Sequence, residues 1–149
     1  MNSNNVSIRF KAISENESFA RICVTAFLAN YNPTIDELGD IKTAVSEAVT
    51  NCVVHAYPDK YGGDVDLYIS VSDNNVYIRI MDYGVGIEDV NIVKQPFYTT
   101  KPTQERSGMG FTIMEGFMDS LIISSQLGQG TKVEMYKHLG ECKKVVCGV

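Results

Sequence analysis

The sequence predicts an α+β protein, a two-layer α/β sandwich in which helices cover a mixed, mostly antiparallel sheet. Three observations carry this expectation. Helical periodicities are grouped, the strand-like runs mostly come in turn-linked pairs, and a long aperiodic stretch precedes the last helix. Strict strand–helix alternation would point to a doubly wound parallel sheet; grouped helices over hairpins point to two layers.

Val6 to Ile13 alternates, with Val6, Ile8, Phe10 and Ala12 on one side and Ser7, Arg9 and Lys11 on the other, as a half-buried strand does. Ser14-Glu-Asn-Glu17 has the spacing of a capping box and opens a helix running to about Asn30. Its expected apolar stripe is Phe19, Ile22, Cys23, Ala26 and Phe27, and Tyr31-Asn-Pro33 ends it. A second helix begins near Thr34 or Asp36. Its stripe of Ile41, Ala44, Val45, Ala48, Val49, Cys52, Val53 and Ala56 is the strongest periodic signal in the chain. Pro58 and Gly62-Gly63 stop it.

Val65–Val71 and Val76–Asp82 read as strands joined in a hairpin through Ser72-Asp-Asn-Asn75. Tyr83 to Ser107 keeps no period; a segment of that length is usually a functional lid or disordered. Gly108 to about Met118 reads as a helix. Leu121–Ser125 and Lys132–Tyr136 are two further strands, joined through Gly128-Gln-Gly130.

The 149 residues are expected to form one domain, 1–149, with an undetermined tail from about 139. A chain of this size buries roughly 68–70% of its unfolded surface, ample for a single core. Net charge is −5 with no basic stripe, which argues against direct nucleic-acid binding. No apolar run approaches the roughly 20 residues that cross a bilayer, and the polar start is not a signal peptide. A cytoplasmic protein with no membrane partner is expected. Cys142 and Cys147 lack zinc-site spacing, and Cys23 and Cys52 sit in helical stripes as small hydrophobes.

Glu47, Asn51 and His55 follow one another at intervals of four residues along one edge of the second helix's apolar face. The Asn51 amide oxygen suits Mg²⁺, which takes few protein ligands and keeps water and phosphate for the rest. Glu47, one turn earlier, can accept a proton from an attacking hydroxyl. Asp82 closes a strand just before Gly84 and Gly86, where a carboxylate can accept from the exocyclic amine of adenine. Gly108-Met109-Gly110 opens a helix whose free N–H groups form an anion site, with Lys101, Arg106 and Ser107 beside it. No Gly-x4-Gly-Lys-Ser/Thr is present, so this is no P-loop.

Each signal alone is common, but their joint order is not. Glu-x3-Asn-x3-His, Asp-x-Gly-x-Gly, a long segment with Phe97, Gly-x-Gly before a helix and Gly-x-Gly-Thr131 between the last strands resemble the four ATP-binding boxes of the gyrase, Hsp90, histidine kinase and MutL superfamily. The resemblance covers about residues 35–137. Asn16–Arg21, Ser46–Asn51 and Glu105–Glu115 further resemble the anti-sigma factor kinases of endospore formers.

The resemblance implies a Bergerat ATP-binding fold and a protein serine/threonine kinase using ATP and Mg²⁺. Such a protein holds sporulation sigma factor F inactive as a homodimer and phosphorylates a serine of the anti-anti-sigma protein SpoIIAA. By the same resemblance Asn51 would hold Mg²⁺ and Glu47 would be the general base. Asp82, Gly84, Gly86 and Ile87 would take the base, with Thr131 closing its pocket and His55 on the nucleotide side. Thr99, Thr100, Lys101, Arg106, Ser107, Gly108, Met109 and Gly110 would form the phosphate side and the hinge of a lid that closes on ATP, and Arg21 would contact the sigma factor. Two other readings stay open: a histidine-kinase-type catalytic module, and a non-catalytic module that uses ATP only to shape a partner surface.

Overall fold

A computed structural model describes residues 3–58, 61–93 and 110–140. Among them, five strands form one open sheet: β1 (Ser3–Lys11), β2 (Asp64–Ser72), β3 (Asn75–Asp82), β4 (Ser120–Gln126) and β5 (Gly130–His138), in the order β1-β2-β3-β5-β4. Four helices accompany them: α1 (Glu15–Leu28), α2 (Ile35–Asn51), a single turn α3 (Val90–Val93) and α4 (Gly110–Phe117). The α+β two-layer expectation holds, with one difference. Every neighbouring pair is antiparallel, so the sheet is not mixed. The two-helix connection between β1 and β2 returns the chain to the end it left, so β2 runs back against β1. Farther on, β5 slots between β3 and β4 and separates the two strands that would otherwise lie side by side.

The turn between β2 and β3 carries positive φ at Asp73 (50°) and Asn74 (66°), the backbone of a two-residue type I′ hairpin. Alternation then fixes which side chains face the helices. On β3, Val76, Ile78, Ile80 and Asp82 are buried in sequence, so a carboxylate takes the fourth position of an otherwise hydrocarbon row. The opposite face holds cross-strand pairs instead: Arg9–Asp66 at 2.6 Å, Lys11–Asp64 at 2.7 Å and the rings of Tyr68, Tyr77 and Tyr136, which meet edge-on or tilted.

α2 is the helix of the core. Ile41, Ala44, Val45, Ala48, Val49, Cys52 and Ala56 are all buried as their spacing requires, and Val53 packs half-buried against them. Thr34 caps the helix with a complete capping box: its hydroxyl accepts from Glu37 N–H at 3.0 Å, and Glu37 accepts from Thr34 N–H at 2.8 Å. The other carboxylate oxygen of Glu37 accepts from Gly140 N–H at 2.7 Å, tying the end of β5 to the start of α2.

α1 departs from expectation twice. Ser14 already has helical backbone angles (φ −60°, ψ −31°) and makes no capping bond, because an N-cap needs an extended backbone to aim its side chain inward. The buried stripe is Ala20, Val24 and Leu28, not Phe19, Ile22, Cys23 and Ala26. Phe19 is 48% and Ile22 66% exposed. Two overlapping apolar stripes exist on this helix, and the one that takes the core is the one on the side where α1 packs against α2. Phe27 alone of the expected stripe packs on the core, against Tyr31.

Candidate nucleotide site

The site lies where the polar edge of α2 meets the ends of β3, β4 and β5. Asp82, Thr131 and Ser125 occupy facing positions on these three adjacent strands, with Asp82 opposite Thr131 and Thr131 opposite Ser125. The helix-facing side of the sheet therefore ends in a polar row. Asp82 is 6% exposed. One carboxylate oxygen accepts from Gly84 N–H at 3.0 Å, and the other from the Cys52 thiol of α2 at 3.7 Å. Burial pushes its carboxyl above the usual range, and the neutral donors Gly84, Cys52 and Thr131 partly offset this.

The chain leaves β3 through a tight passage. Val85 N–H donates to Ala56 O at 2.9 Å, Gly128 N–H to Val85 O at 2.8 Å, and Ile87 N–H to Ser125 Oγ at 2.7 Å. Ser125 is fully used: its hydroxyl lies 2.9 Å from Gly130 O and 2.8 Å from Thr131 Oγ1. Tyr57 braces the same exit, accepting from Tyr83 N–H at 2.7 Å and donating to Asp64 O at 2.6 Å. Gly130, at φ +91°, could carry no side chain, since its Cβ would lie 2.1 Å from Asp82 O. A hollow between β3, β4 and β5 is lined by Asp82, Ser125, Gly130 and Thr131 with Met81 and Lys132. Ser124, Gln126 and Gln129 complete its lining, which does not include Glu47 or Asn51.

The other end is set by α4. A Cβ on Gly110 would lie 3.4 Å from both Glu47 Oε2 and Asn51 Nδ2, so the start of α4 faces both side chains across a methyl-sized space. Asn51 Nδ2 is buried without a hydrogen-bond partner among the described residues. A buried amide donor left unpaired costs about 1–3 kcal/mol, and the chemistry that satisfies it is an anion such as a phosphate oxygen. Its carbonyl oxygen is of the kind that Mg²⁺ takes as a single protein ligand, so the residues fit a magnesium–phosphate group. No cluster of three His, Cys, Asp or Glu residues able to hold a metal exists among the described residues.

Glu47, Asn51, Asp82, Gly84, Gly86, Ile87, Gly110 and Thr131 thus fall around one end of the α2–sheet interface. His55 does not stack straight above Asn51. After Asn51 the helix widens into a π-type turn over Cys52–Ala56, which rotates His55 from the position a regular helix would give it. Arg21 is half-buried on α1, 3.5 Å from Ser46 Oγ of α2. Thr99, Thr100, Lys101, Arg106, Ser107, Gly108 and Met109, with Phe97 and the lid, lie outside the described residues, as do Cys142 and Cys147. Sequence reasoning missed Cys52 as a polar partner, Ser125 and Tyr57. Ser125 alone carried a signal, as the hydroxyl closing a strand before the last Gly-x-Gly.

Comparison with known proteins points the same way. Residues 10–137 match the histidine kinase-like ATPase domain family, a match that implies ATP binding. The chain is 51% identical to the anti-sigma F factor of Bacillus licheniformis over 94% of this chain and 96% of that protein. It is 49% identical to that of Bacillus subtilis, again over 94% and 96%, and 50% identical to that of Clostridium botulinum over 92% and 96%. In fold it is similar to a structure of the RsbU and RsbW domains of a Mycobacterium tuberculosis protein. The TM-score is 0.68 at 21% identity, covering 91% of this chain and 32% of that one. A histidine kinase domain from Erythrobacter litoralis gives 0.56 at 23% identity, covering 75% of this chain and 49% of that one. No helix among the described residues is long and apolar enough to cross a membrane.

Proposed function

Because the chain belongs to the anti-sigma F factors, within the histidine kinase-like ATPase family, we propose that it is an ATP-dependent serine protein kinase as well as an anti-sigma factor. It binds sporulation sigma factor F as a cytoplasmic homodimer and phosphorylates a serine of the anti-anti-sigma protein SpoIIAA. The observation that carries the kinase reading is the buried Asn51 Nδ2, unpartnered among the described residues, beside Glu47 and facing the start of α4.

In this reading Asp82 accepts from the adenine amine, with Gly84, Gly86, Ile87 and Thr131 around the base and His55 near the nucleotide. Asn51 holds Mg²⁺, which when bound neutralises charge on the phosphates. Glu47 takes the proton from the serine hydroxyl of the partner. The serine oxygen bonds to the γ-phosphorus as the bond to the β,γ-bridging oxygen breaks, and ADP leaves. Such transfer depends mainly on positioning and charge stabilisation, which suits a site built on a core helix and strand ends. A carboxylate in the base position favours a hydroxyl acceptor over an imidazole. Thr99, Thr100, Lys101, Arg106, Ser107, Gly108 and Met109 contribute to the phosphate side and Gly110 opens α4 against it. Arg21, with the exposed Phe19 and Ile22 on the same helix, forms part of the sigma contact.

The test is incubation of the purified protein with γ-labelled ATP, Mg²⁺ and SpoIIAA, followed by acid treatment. Label retained on a serine supports the reading. Acid-labile label would point to a histidine kinase module, and neither transfer nor hydrolysis to a non-catalytic one.

A further inference from the structure

We propose that Cys52 is a positioning residue for purine recognition: by donating to Asp82, it orients that carboxylate and sets the preference for a 6-amino purine. The inference rests on the ATP reading above and goes beyond it by assigning a role to a side chain that lies outside the motifs.

Cys52 directly follows Asn51, at the point where α2 widens into its π-type turn, and it is buried. Its Sγ lies 3.7 Å from Asp82 Oδ2, within reach of a sulfur donor, while Oδ1 is taken by Gly84 N–H at 3.0 Å. An ionised carboxylate offers about four lone-pair sites. Gly84, Cys52 and Thr131 supply three neutral donors. One site remains, and it suits the N–H of an exocyclic amine; a 6-oxo purine would set an acceptor against it.

Among the described residues, the titratable groups that face Asp82 are Cys52, which opens the π-type turn after α2, and Tyr57, which follows that turn. Neither brings positive charge. Among the described residues it is therefore neutral donors that favour the ionised form of Asp82 in this apolar row. Without the thiol, Oδ2 loses its α2 donor and the carboxyl holds a proton more readily. An O–H would then meet the amine N–H, donor against donor.

The experiment is titration calorimetry of the full chain with ATP and with inosine triphosphate, for the wild type and for Cys52→Val, Cys52→Ala, Cys52→Ser and Asp82→Asn. Loss of a neutral hydrogen bond is expected to lower the ATP-over-inosine preference about three- to tenfold in the Val and Ala variants, chiefly through weaker ATP binding. The Ser variant, which keeps a donor, should stay within about twofold of wild type. Should the Val variant prove too crowded to fold, Ala answers the same question with a smaller side chain. Wild-type preference in the Ala or Val protein overturns the role of Cys52. If Asp82→Asn also keeps the preference, it is the assignment of Asp82 to the base that has failed.

Discussion

A Cβ on Gly84 would lie 1.9 Å from the carbonyl oxygen of Ala56. The chain leaving β3 thus passes against the end of the α2 turn with no room for a methyl group, and Val85 N–H bonds to that same carbonyl. One contact joins the end of the helix bearing Glu47 and Asn51 to the strand end bearing Asp82.

Gly84→Ala must push the two backbones apart. Overpacking of this kind costs about 1–3 kcal/mol, read in urea unfolding. It should also weaken ATP binding, because the Gly84 N–H that holds Asp82 Oδ1 moves with the backbone. Unchanged stability together with unchanged affinity would mean that the passage is not a fixed link.

Asp82 carries a second consequence. Its pKa is raised in the folded state by burial, so the native protein holds this proton more tightly than the unfolded chain does. The group's contribution to stability is complete below the ordinary aspartate range and is lost as pH rises through the folded value. Asp82→Asn, neutral and similar in shape, should therefore unfold at a higher temperature than wild type near neutral pH without nucleotide, and the gap should close in acid. ATP should reverse the order, since a charge-assisted bond worth about 1.5–3 kcal/mol stabilises only the wild type. Melting curves across pH, with and without ATP, check both signs.

How much of this was legible in the sequence follows from how local each signal is. The α2 stripe and the β3 alternation each repeat over many residues and belong to one surface, and both come out as their spacing requires. α1 offered two stripes, and only its packing against α2 decides that Ala20, Val24 and Leu28 go inward while Phe19 and Ile22 stay out. Ser14-Glu-Asn-Glu17 and Thr34-Ile-Asp-Glu37 fit the same capping pattern, yet the backbone at Ser14 is already helical and only the second forms the box. At the site, glycines and carboxylates announce themselves by type. Ser125 signals itself only as a hydroxyl closing a strand, its partners being fixed by strand register, while Cys52 becomes a polar partner only when the turn after α2 packs on β3, which no spacing rule reveals.

Ser125 shows the cost of such register-dependent contacts. Its hydroxyl accepts from Ile87 N–H and meets Gly130 O and Thr131 Oγ1, holding the segment after Gly86 onto the β4–β5 turn. Ser125→Ala leaves a half-buried N–H and a carbonyl short of a partner, a loss of about 1–3 kcal/mol. Amide exchange should quicken at Ile87 more than in β2. Uniform exchange, the same as wild type, would show that the hydroxyl is not the anchor.

Glu47 offers the sharpest separation of binding from chemistry. It sits half-buried on α2 and shares with Asn51 the space facing Gly110; in the proposed reading Asp82 and the strand ends hold the base without it. Glu47→Gln keeps the shape and removes the proton acceptor. Nucleotide affinity and sigma factor binding should stay within about twofold, while phosphotransfer to SpoIIAA falls by about 10²–10⁴, the usual worth of a positioned general base. Because the deficit is in proton removal, the rate should not recover at saturating ATP; a loss confined to KM would instead assign Glu47 to holding the nucleotide. Single-turnover transfer measured beside calorimetric Kd values resolves the two, and undiminished transfer would take the base role from Glu47.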